Sequence, residues 1–111
     1  MRLRNLALAA AAASLAALAH AQAWPDKPIR FVVAAGPGSS LDTLARVIGD
    51  KLKDRLGQPV VVENKPGAGG NIGTEYVARS APDGYTLIVN SVGPMAVNPT
   101  LYRSLPYDPL A

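Results

Sequence analysis

Hydrophobic residues in this chain fall into two patterns, short continuous runs and a helical spacing. Residues 29–35 (IRFVVAA) form an almost unbroken apolar run rich in β-branched side chains. Such a run is typical of a strand that is buried on both faces of a parallel sheet. Two similar runs follow at residues 60–63 (VVVE) and 85–90 (YTLIVN), and the first of these is also expected to be buried. The pattern therefore predicts three short strands.

Between the first two runs, the apolar positions follow the period of a helix. They predict a helix from residue 41 with one buried stripe. The stripe consists of Leu41, Leu44, Ala45, Ile48, Leu52 and Leu56. Ser39 or Ser40 is the expected N-cap, Asp42 suits the first turn, and Gly57 is the expected C-terminal stop.

A second helix is predicted over residues 71–80, with Ile72, Tyr76 and Val77 on its buried side. Residues 95–111 contain three prolines and predict a short helix followed by irregular chain. The order is strand, helix, strand, helix, strand, which predicts an α/β fold built from a βαβαβ unit with right-handed crossovers. Since two helices are too few to cover both faces of a parallel sheet, we expect the unit to be part of a larger domain.

The N-terminus has the composition of an export signal. Arg2 and Arg4 precede a small-apolar run at residues 6–18, and two A-x-A sites end at Ala21 and Ala23. A basic segment, a short apolar segment and small residues at a cleavage site predict a secretory signal peptide over residues 1–23. The apolar run is shorter than the roughly 20 residues that a membrane-spanning helix needs. Cleavage after Ala21 and after Ala23 fits equally well.

Once the signal peptide is removed, the charge and composition of the chain exclude several classes of function. The 111 residues carry eleven basic and eight acidic side chains, one histidine and no cysteine. The net charge of +3 suggests nucleic acid, but cleavage takes away Arg2, Arg4 and His20, which leaves nine basic residues against eight acidic ones. The mature chain therefore excludes a Ser-His-Asp triad, a thiolate nucleophile and cysteine or histidine metal sites. We expect no nucleic-acid partner and no cofactor.

The candidate chemistry lies where the strands end. In open parallel sheets, ligands bind beyond the carboxyl ends of the strands. Three loops lie at that edge, at residues 36–40, 64–70 and 91–94. The first two are rich in glycine and lead into helices, so their N–H groups predict a site for an anion, most simply a carboxylate or phosphate. The alternative is that the glycines only form turns and the serines only cap helices. Neutral hydrogen bonds are available from Ser39, Ser40, Asn71 and Ser91.

Two acidic residues have alternative interpretations. A structural interpretation of Asp42 is a negative charge placed in the first turn of a helix. A functional interpretation is that its carboxylate orients loop amides or binds an ammonium group of the ligand. Glu63 ends the second strand, where dinucleotide-binding folds keep a ribose-binding acid. Neither glycine segment matches G-x-G-x-x-G, because Leu41 and Ile72 stand at the third glycine position. The dinucleotide interpretation is therefore the weaker one.

Several longer segments together resemble one family. They are WPDKPIRFVV (residues 24–33), the loop with Pro37, Gly38 and Asp42, LGQPVVVENKPGAGGNIGTEYVARSAPDGYTL (56–87) and NPTLYRSLPYDP (98–109). These segments resemble the N-terminal part of the Bug family, the periplasmic solute-binding receptors of tripartite tricarboxylate transporters. The resemblance covers the chain from Trp24 to its end.

The resemblance implies a type II periplasmic-binding-protein fold, in which two α/β domains close on a ligand. It also implies a small organic carboxylate as ligand (a di- or tricarboxylate, an acidic amino acid or an aromatic acid), no catalysis, and delivery to membrane transporter subunits. By family position the ligand site comprises Gly38, Ser39, Ser40, Asp42, Gly67, Ala68, Gly69, Gly70, Asn71 and Ser91.

The first loop departs from the family pattern P-F-x-P-G-G-x-x-D. Ser39 replaces the second glycine and Ala35 stands at the aromatic position. Since members of the family run to roughly three hundred residues, we expect residues 24–111 to be the incomplete start of the first domain, with the second domain missing. The alternatives are an exported α/β enzyme remnant and a truncated product without function.

Overall fold

The computed structural model describes Leu3, Asn5 and residues 23–111 of the chain. The signal peptide predicted for residues 1–23 lies almost wholly outside the described residues and stays a prediction. Within the described part, no helix has the length and apolar character needed to cross a membrane.

A three-stranded parallel sheet forms the centre of the fold. Its central strand β1 (Ile29–Val33) pairs with β2 (Val60–Asn64) on one side and with β3 (Thr86–Val89) on the other. Sequential strands thus lie in the order β2-β1-β3, and the chain passes over β1 on its way from β2 to β3. The predicted α/β fold with parallel strands is confirmed.

Helices and tight turns connect and follow the strands. These are α1 (Ser40–Leu56), a 3₁₀ turn (Ala68–Gly70), α2 (Asn71–Ala78), a π-helical turn (Gly93–Val97) and α3 (Asn98–Leu101). The predicted ends of α1 are confirmed. Ser39 is its N-cap, and Gly57 ends it in the left-handed conformation, with φ 70°.

The two long helices pack on opposite faces of the sheet. Ile29, Phe31 and Val33 point to one face, where Ala45 of α1 completes their buried cluster. The alternate position Ala34 points to the other face and lies against Gly73 of α2, where a Cβ would come within 3.0 Å of the Ala34 Cα. Right-handed crossovers that lead to opposite sides of β1 require this arrangement.

Three sequence expectations about burial are wrong in whole or in part. β2 is an edge strand rather than a buried one, and its Val61 is 52% exposed. On α2 the buried residues are Asn71, Gly73 and Thr74, whereas Ile72 is 51% exposed. The helix approaches the sheet through its small residues because the contact at Gly73 leaves no room for a bulky side chain. Leu44 and Ile48 of the predicted α1 stripe are also exposed.

The strand order defines a switch point at the carboxyl edge of the sheet. From β1 the chain runs through α1 on one face of the sheet to β2, which lies on one side of β1. From β2 it runs through α2 on the other face to β3, which lies on the opposite side of β1. The gap between the ends of β1 and β3 is therefore the point at which the winding of the sheet reverses. Open α/β sheets bind their ligands at such a switch point.

Candidate functional site

The first loop is shaped by its own side chains. The Ser39 Oγ accepts a hydrogen bond from the backbone N–H of Asp42, 3.2 Å away, which caps α1. Ser39 has φ −69° and ψ 166°, an extended conformation that any residue adopts. The family's second glycine is therefore not required at this position by the backbone. Gly38, in contrast, has φ 80°, where glycine is favoured.

Asp42 organises this loop. Its side chain is almost fully buried, with 6% exposure, and both carboxylate oxygens are occupied. Oδ2 accepts from the Gly38 backbone N–H at 2.9 Å and from Arg46 Nε at 3.1 Å. Oδ1 accepts from Asn64 Nδ2 at 3.0 Å and lies 3.1 Å from Arg46 Nη2.

These bonds decide between the interpretations of Asp42. The hydrogen bond from Arg46, followed by those from Gly38 and Asn64, lowers the pKa of Asp42 from 3.8 to about 2. An ionised carboxylate whose oxygens are already used orients the loop and leaves no lone pair pointing at a ligand ammonium. Asn64 also donates to the Ala35 carbonyl at 3.1 Å, so the end of β2 is tied to the end of β1.

The donors that remain at this loop are main-chain N–H groups of α1. The Gly38 N–H is engaged by Asp42, the Ser39 N–H donates to Gly36 O, and the Asp42 N–H is capped. Among the hydrogen bonds of residues 23–111, none is donated by the N–H of Ser40 or Leu41. The N–H groups that are available to a ligand at the first loop are therefore those of Ser40 and Leu41 in the first turn of α1, and not that of Gly38.

The second loop owes its shape to an unusual backbone. Four successive residues have positive φ: Gly67 (124°), Ala68 (48°), Gly69 (63°) and Gly70 (92°). Within the described chain, the N–H groups of Ala68 and Gly69 donate no hydrogen bond, whereas the Gly70 N–H donates to Gly67 O. Consecutive N–H groups in such a turn form a concave site for an anion.

The third loop packs against the second. A Cβ on Gly70 would lie 2.5 Å from the Cγ of the buried Pro94. A Cβ on Gly93 would lie 3.6 Å from Ser91 Oγ and 3.7 Å from Gly69 O. Ser91 is exposed, and it lies near Gly93, which in turn lies near Gly69 of the second loop.

Neutral side chains hold the start of α2. Thr74 donates to Gly70 O at 2.7 Å, and Asn90 Nδ2 donates to Thr74 Oγ1 at 2.7 Å. Asn71 Oδ1 accepts from Asn98 Nδ2 at 2.6 Å and from the Tyr107 hydroxyl at 2.8 Å. Burial raises the pKa of Tyr107 above its ordinary value near 10, so its hydroxyl stays protonated well beyond neutral pH.

Sequence reasoning missed four of these supporting residues, namely Asn64, Asn90, Asn98 and Tyr107. Asn64 is the last residue of β2, and Asn90 directly follows β3. Their position at strand ends was a signal in the sequence that could have indicated them. Asn98 and Tyr107 reach Asn71 across 27 and 36 residues, and no local pattern indicates such a contact.

A hollow elsewhere in the described chain lies apart from the predicted site. A surface hollow of about 380 Å³ lies along α2, lined by Ile72, Glu75, Tyr76, Arg79 and Ser80. It contains none of the predicted site residues. No group of three histidine, cysteine or acidic residues with the spacing of a metal site occurs in the described part of the chain.

Fold and edge loops together define the class: the chain has the fold of the opening part of a periplasmic binding protein. The family model described as tripartite tricarboxylate transporter family receptor (TctC) matches residues 44–111. The chain belongs to this family, which includes the Bug proteins, and the predicted resemblance is confirmed.

Individual relatives agree with this assignment. BugT of Bordetella pertussis is 50% identical over 101 residues, which are 90% of this chain and 31% of BugT. The periplasmic binding protein BugD is 42% identical with a TM-score of 0.74, over 78% of this chain and 28% of BugD. MatC of Rhodopseudomonas palustris, solved with bound malate, is 40% identical with a TM-score of 0.73, over 78% of this chain and 29% of MatC. The chain thus spans about three-tenths of the length of these proteins.

Proposed function

We propose that residues 24–111 form the first part of the carboxylate site of an exported solute receptor. The receptor captures a small organic carboxylate in the periplasm, delivers it to the membrane subunits of a tripartite transporter and catalyses no reaction. Export relies on the signal peptide predicted over residues 1–23. The binding of malate by MatC supports a carboxylate as the ligand class.

One observation carries the proposal: both glycine-rich segments at the carboxyl edge of the sheet have main-chain N–H groups that donate no hydrogen bond to any described residue. Ser40 and Leu41 supply them at the first turn of α1, and Ala68 and Gly69 supply them in the second loop. A carboxylate accepts about four hydrogen bonds and is favoured at the positive end of a helix. The role of Asp42 is to fix the first set of donors rather than to bind the ligand.

The test uses a proline to remove one main-chain donor. Ser40 is the first residue of α1, where proline is well tolerated. Ser39 already has the extended backbone that a following proline requires. Ser40→Pro therefore deletes the N–H while the helix is kept, and Ser40→Ala is the matched control that deletes only the hydroxyl.

The full protein that the gene encodes, of which residues 24–111 are part, is expressed with its N-terminal segment, purified from the periplasm and titrated with malate and other small carboxylates. We expect the melting temperature to rise with ligand concentration. Ser40→Pro should weaken binding roughly 10- to 150-fold, since a hydrogen bond to a charged group contributes about 1.5–3 kcal/mol. Ser40→Ala should change it less than about threefold, because the proposed contact is made by the main-chain N–H, which this variant keeps. The neutral diamide of malate should not bind.

Two results would count against the proposal. A wild-type chain that no small carboxylate stabilises would remove the receptor function. Carboxylate binding that Ser40→Pro leaves unchanged would show that the ligand does not use the start of α1.

A further inference from the structure

Asn71 occupies the first position of α2 with one half of its carboxamide fixed. The residue is 7% exposed, and its Oδ1 accepts from Asn98 Nδ2 and from the Tyr107 hydroxyl. The Nδ2 group donates no hydrogen bond to any described residue. Because no fully buried side-chain nitrogen in the described chain lacks a partner, Nδ2 reaches the surface. The carboxamide is thus anchored by its oxygen, and its nitrogen is left as a donor.

The anchor comes from the chain that follows β3. Asn98 begins α3 and is 6% exposed, and Tyr107 lies in the irregular segment after α3. Tyr107 also lies 2.8 Å from the carbonyl oxygen of Pro94, so its single hydroxyl proton serves Asn71 and Pro94. Pro94 in turn packs against Gly70. Tyr107 therefore supports both the side chain of Asn71 and the turn that lies on the second loop.

We propose that Asn98 and Tyr107 are positioning residues for carboxylate recognition, because they hold the Asn71 oxygen inward and direct its Nδ2 toward the ligand. The inference rests on the proposed function. A rotated carboxamide would place Oδ1 at the same point, where it would repel a carboxylate. The orientation of one side chain thus decides whether this position attracts or rejects an anion.

The chemistry of the anchor makes the proposal specific. Both groups donate to Oδ1, and an acceptor in place of Asn98 Nδ2 would favour the opposite orientation. Asn98→Asp supplies such an acceptor with nearly the same shape. In that variant the Nδ2 of Asn71 can turn inward to the new carboxylate, so a hydrogen bond is retained while the donor for the ligand is lost.

The experiment compares malate binding by the full wild-type protein that the gene encodes with that of three variants. They are Tyr107→Phe, Asn98→Asp and the control Tyr102→Phe. The Tyr102 hydroxyl makes no hydrogen bond within the described residues, so the control removes the same atom without removing an anchor. Dissociation constants are measured at a temperature at which circular dichroism shows each variant to be folded.

We expect Tyr107→Phe to weaken malate binding about fivefold, as the loss of one neutral donor predicts, and Asn98→Asp to weaken it at least about tenfold, since it adds both a facing acceptor and a negative charge. Tyr102→Phe should stay within about twofold of the wild type, since it removes no hydrogen bond. The side-chain amide signals of Asn71 in a ¹H–¹⁵N spectrum should shift when malate binds to the wild type and should not shift in Asn98→Asp.

The outcomes separate this inference from the proposed function. If the wild type binds no carboxylate, the proposed function fails, and this inference fails with it. If the wild type binds malate and the folded Tyr107→Phe and Asn98→Asp variants bind it equally well, only the positioning role is overturned. If one variant does not fold, the other variant and the Asn71 amide signals decide.

Discussion

The two glycine-rich loops lie at the same edge of the sheet but are held by different physical means. Asp42, a buried carboxylate bonded to Arg46, Asn64 and the Gly38 N–H, fixes the first loop. Charged side chains hold only the start of the second loop, where Asn64 bonds to Asp42 and Lys65 pairs with Glu63; the described hydrogen bonds of residues 67–70 involve no charged side chain. This part of the loop depends on a run of positive φ angles, on the contact between Gly70 and Pro94, and on neutral amide and hydroxyl groups.

This difference means that the two loops respond to different perturbations. The bonds of a buried carboxylate depend on its ionisation, so the first loop is sensitive to pH. Steric contact and backbone conformation do not titrate, so the second loop is sensitive to added atoms. A receptor that uses both loops keeps one half of its site shaped by charge and the other half by packing.

The largest expected effect is steric and concerns the second loop. Gly70 has φ 92°, and a Cβ there would lie 2.5 Å from Pro94 Cγ. Gly70→Ala should therefore lower the free energy of unfolding by about 2–4 kcal/mol, from backbone strain together with overpacking. Urea denaturation monitored by circular dichroism measures this change.

The matched control lies in the first loop. Gly36 has no atom within 4 Å of an added Cβ and does not have a positive φ. Gly36→Ala should change the free energy of unfolding by less than about 0.5 kcal/mol. Equal losses at the two glycines would show that close packing does not distinguish the loops.

The next effect is electrostatic and concerns the first loop. Asp42→Asn keeps the shape of the side chain but removes the charge that Arg46 and the Gly38 N–H bind. Loss of these charge-assisted hydrogen bonds should lower the melting temperature at pH 7 by roughly 5–10 °C. Asp50→Asn is the control, because Asp50 is an exposed carboxylate of the same helix.

The loss of stability in Asp42→Asn should depend on pH. The pKa of Asp42 is lowered from 3.8 to about 2, so its ionised form stabilises the folded state at pH values above about 4. That contribution is lost as the pH falls from about 4 to 2. The difference in stability between the wild type and Asp42→Asn should shrink over this window. A difference that stays constant down to pH 2 would contradict the assigned role of Asp42.

Local sequence signals accounted for the first loop better than for the second. The strand end, the Ser39 cap and the Gly57 stop are short-range features that the sequence displays directly. The second loop is completed by Asn98 and Tyr107, whose contacts with Asn71 arise only when the chain after β3 returns.

Burial was the other point that local patterns did not predict. An apolar run such as residues 60–63 has the same pattern in a central strand and in an edge strand. The place of β2 at the edge is a property of the sheet order. Likewise, the helical spacing of α2 indicated Ile72 and Tyr76, whereas the close approach of Gly73 to Ala34 selected the small-residue side.

The smallest expected effect concerns Ala68, which has φ 48° within the run of glycines. A left-handed conformation costs a residue with a Cβ about 1 kcal/mol, and glycine avoids this cost. Glycine also loses more backbone entropy on folding, so Ala68→Gly should raise the free energy of unfolding by only about 0.5 kcal/mol. The reverse change next to it, Gly69→Ala at φ 63°, should lower it by a similar amount. Opposite signs for these two substitutions in urea denaturation would show that backbone conformation shapes the second loop, and a loss of stability in both would refute this.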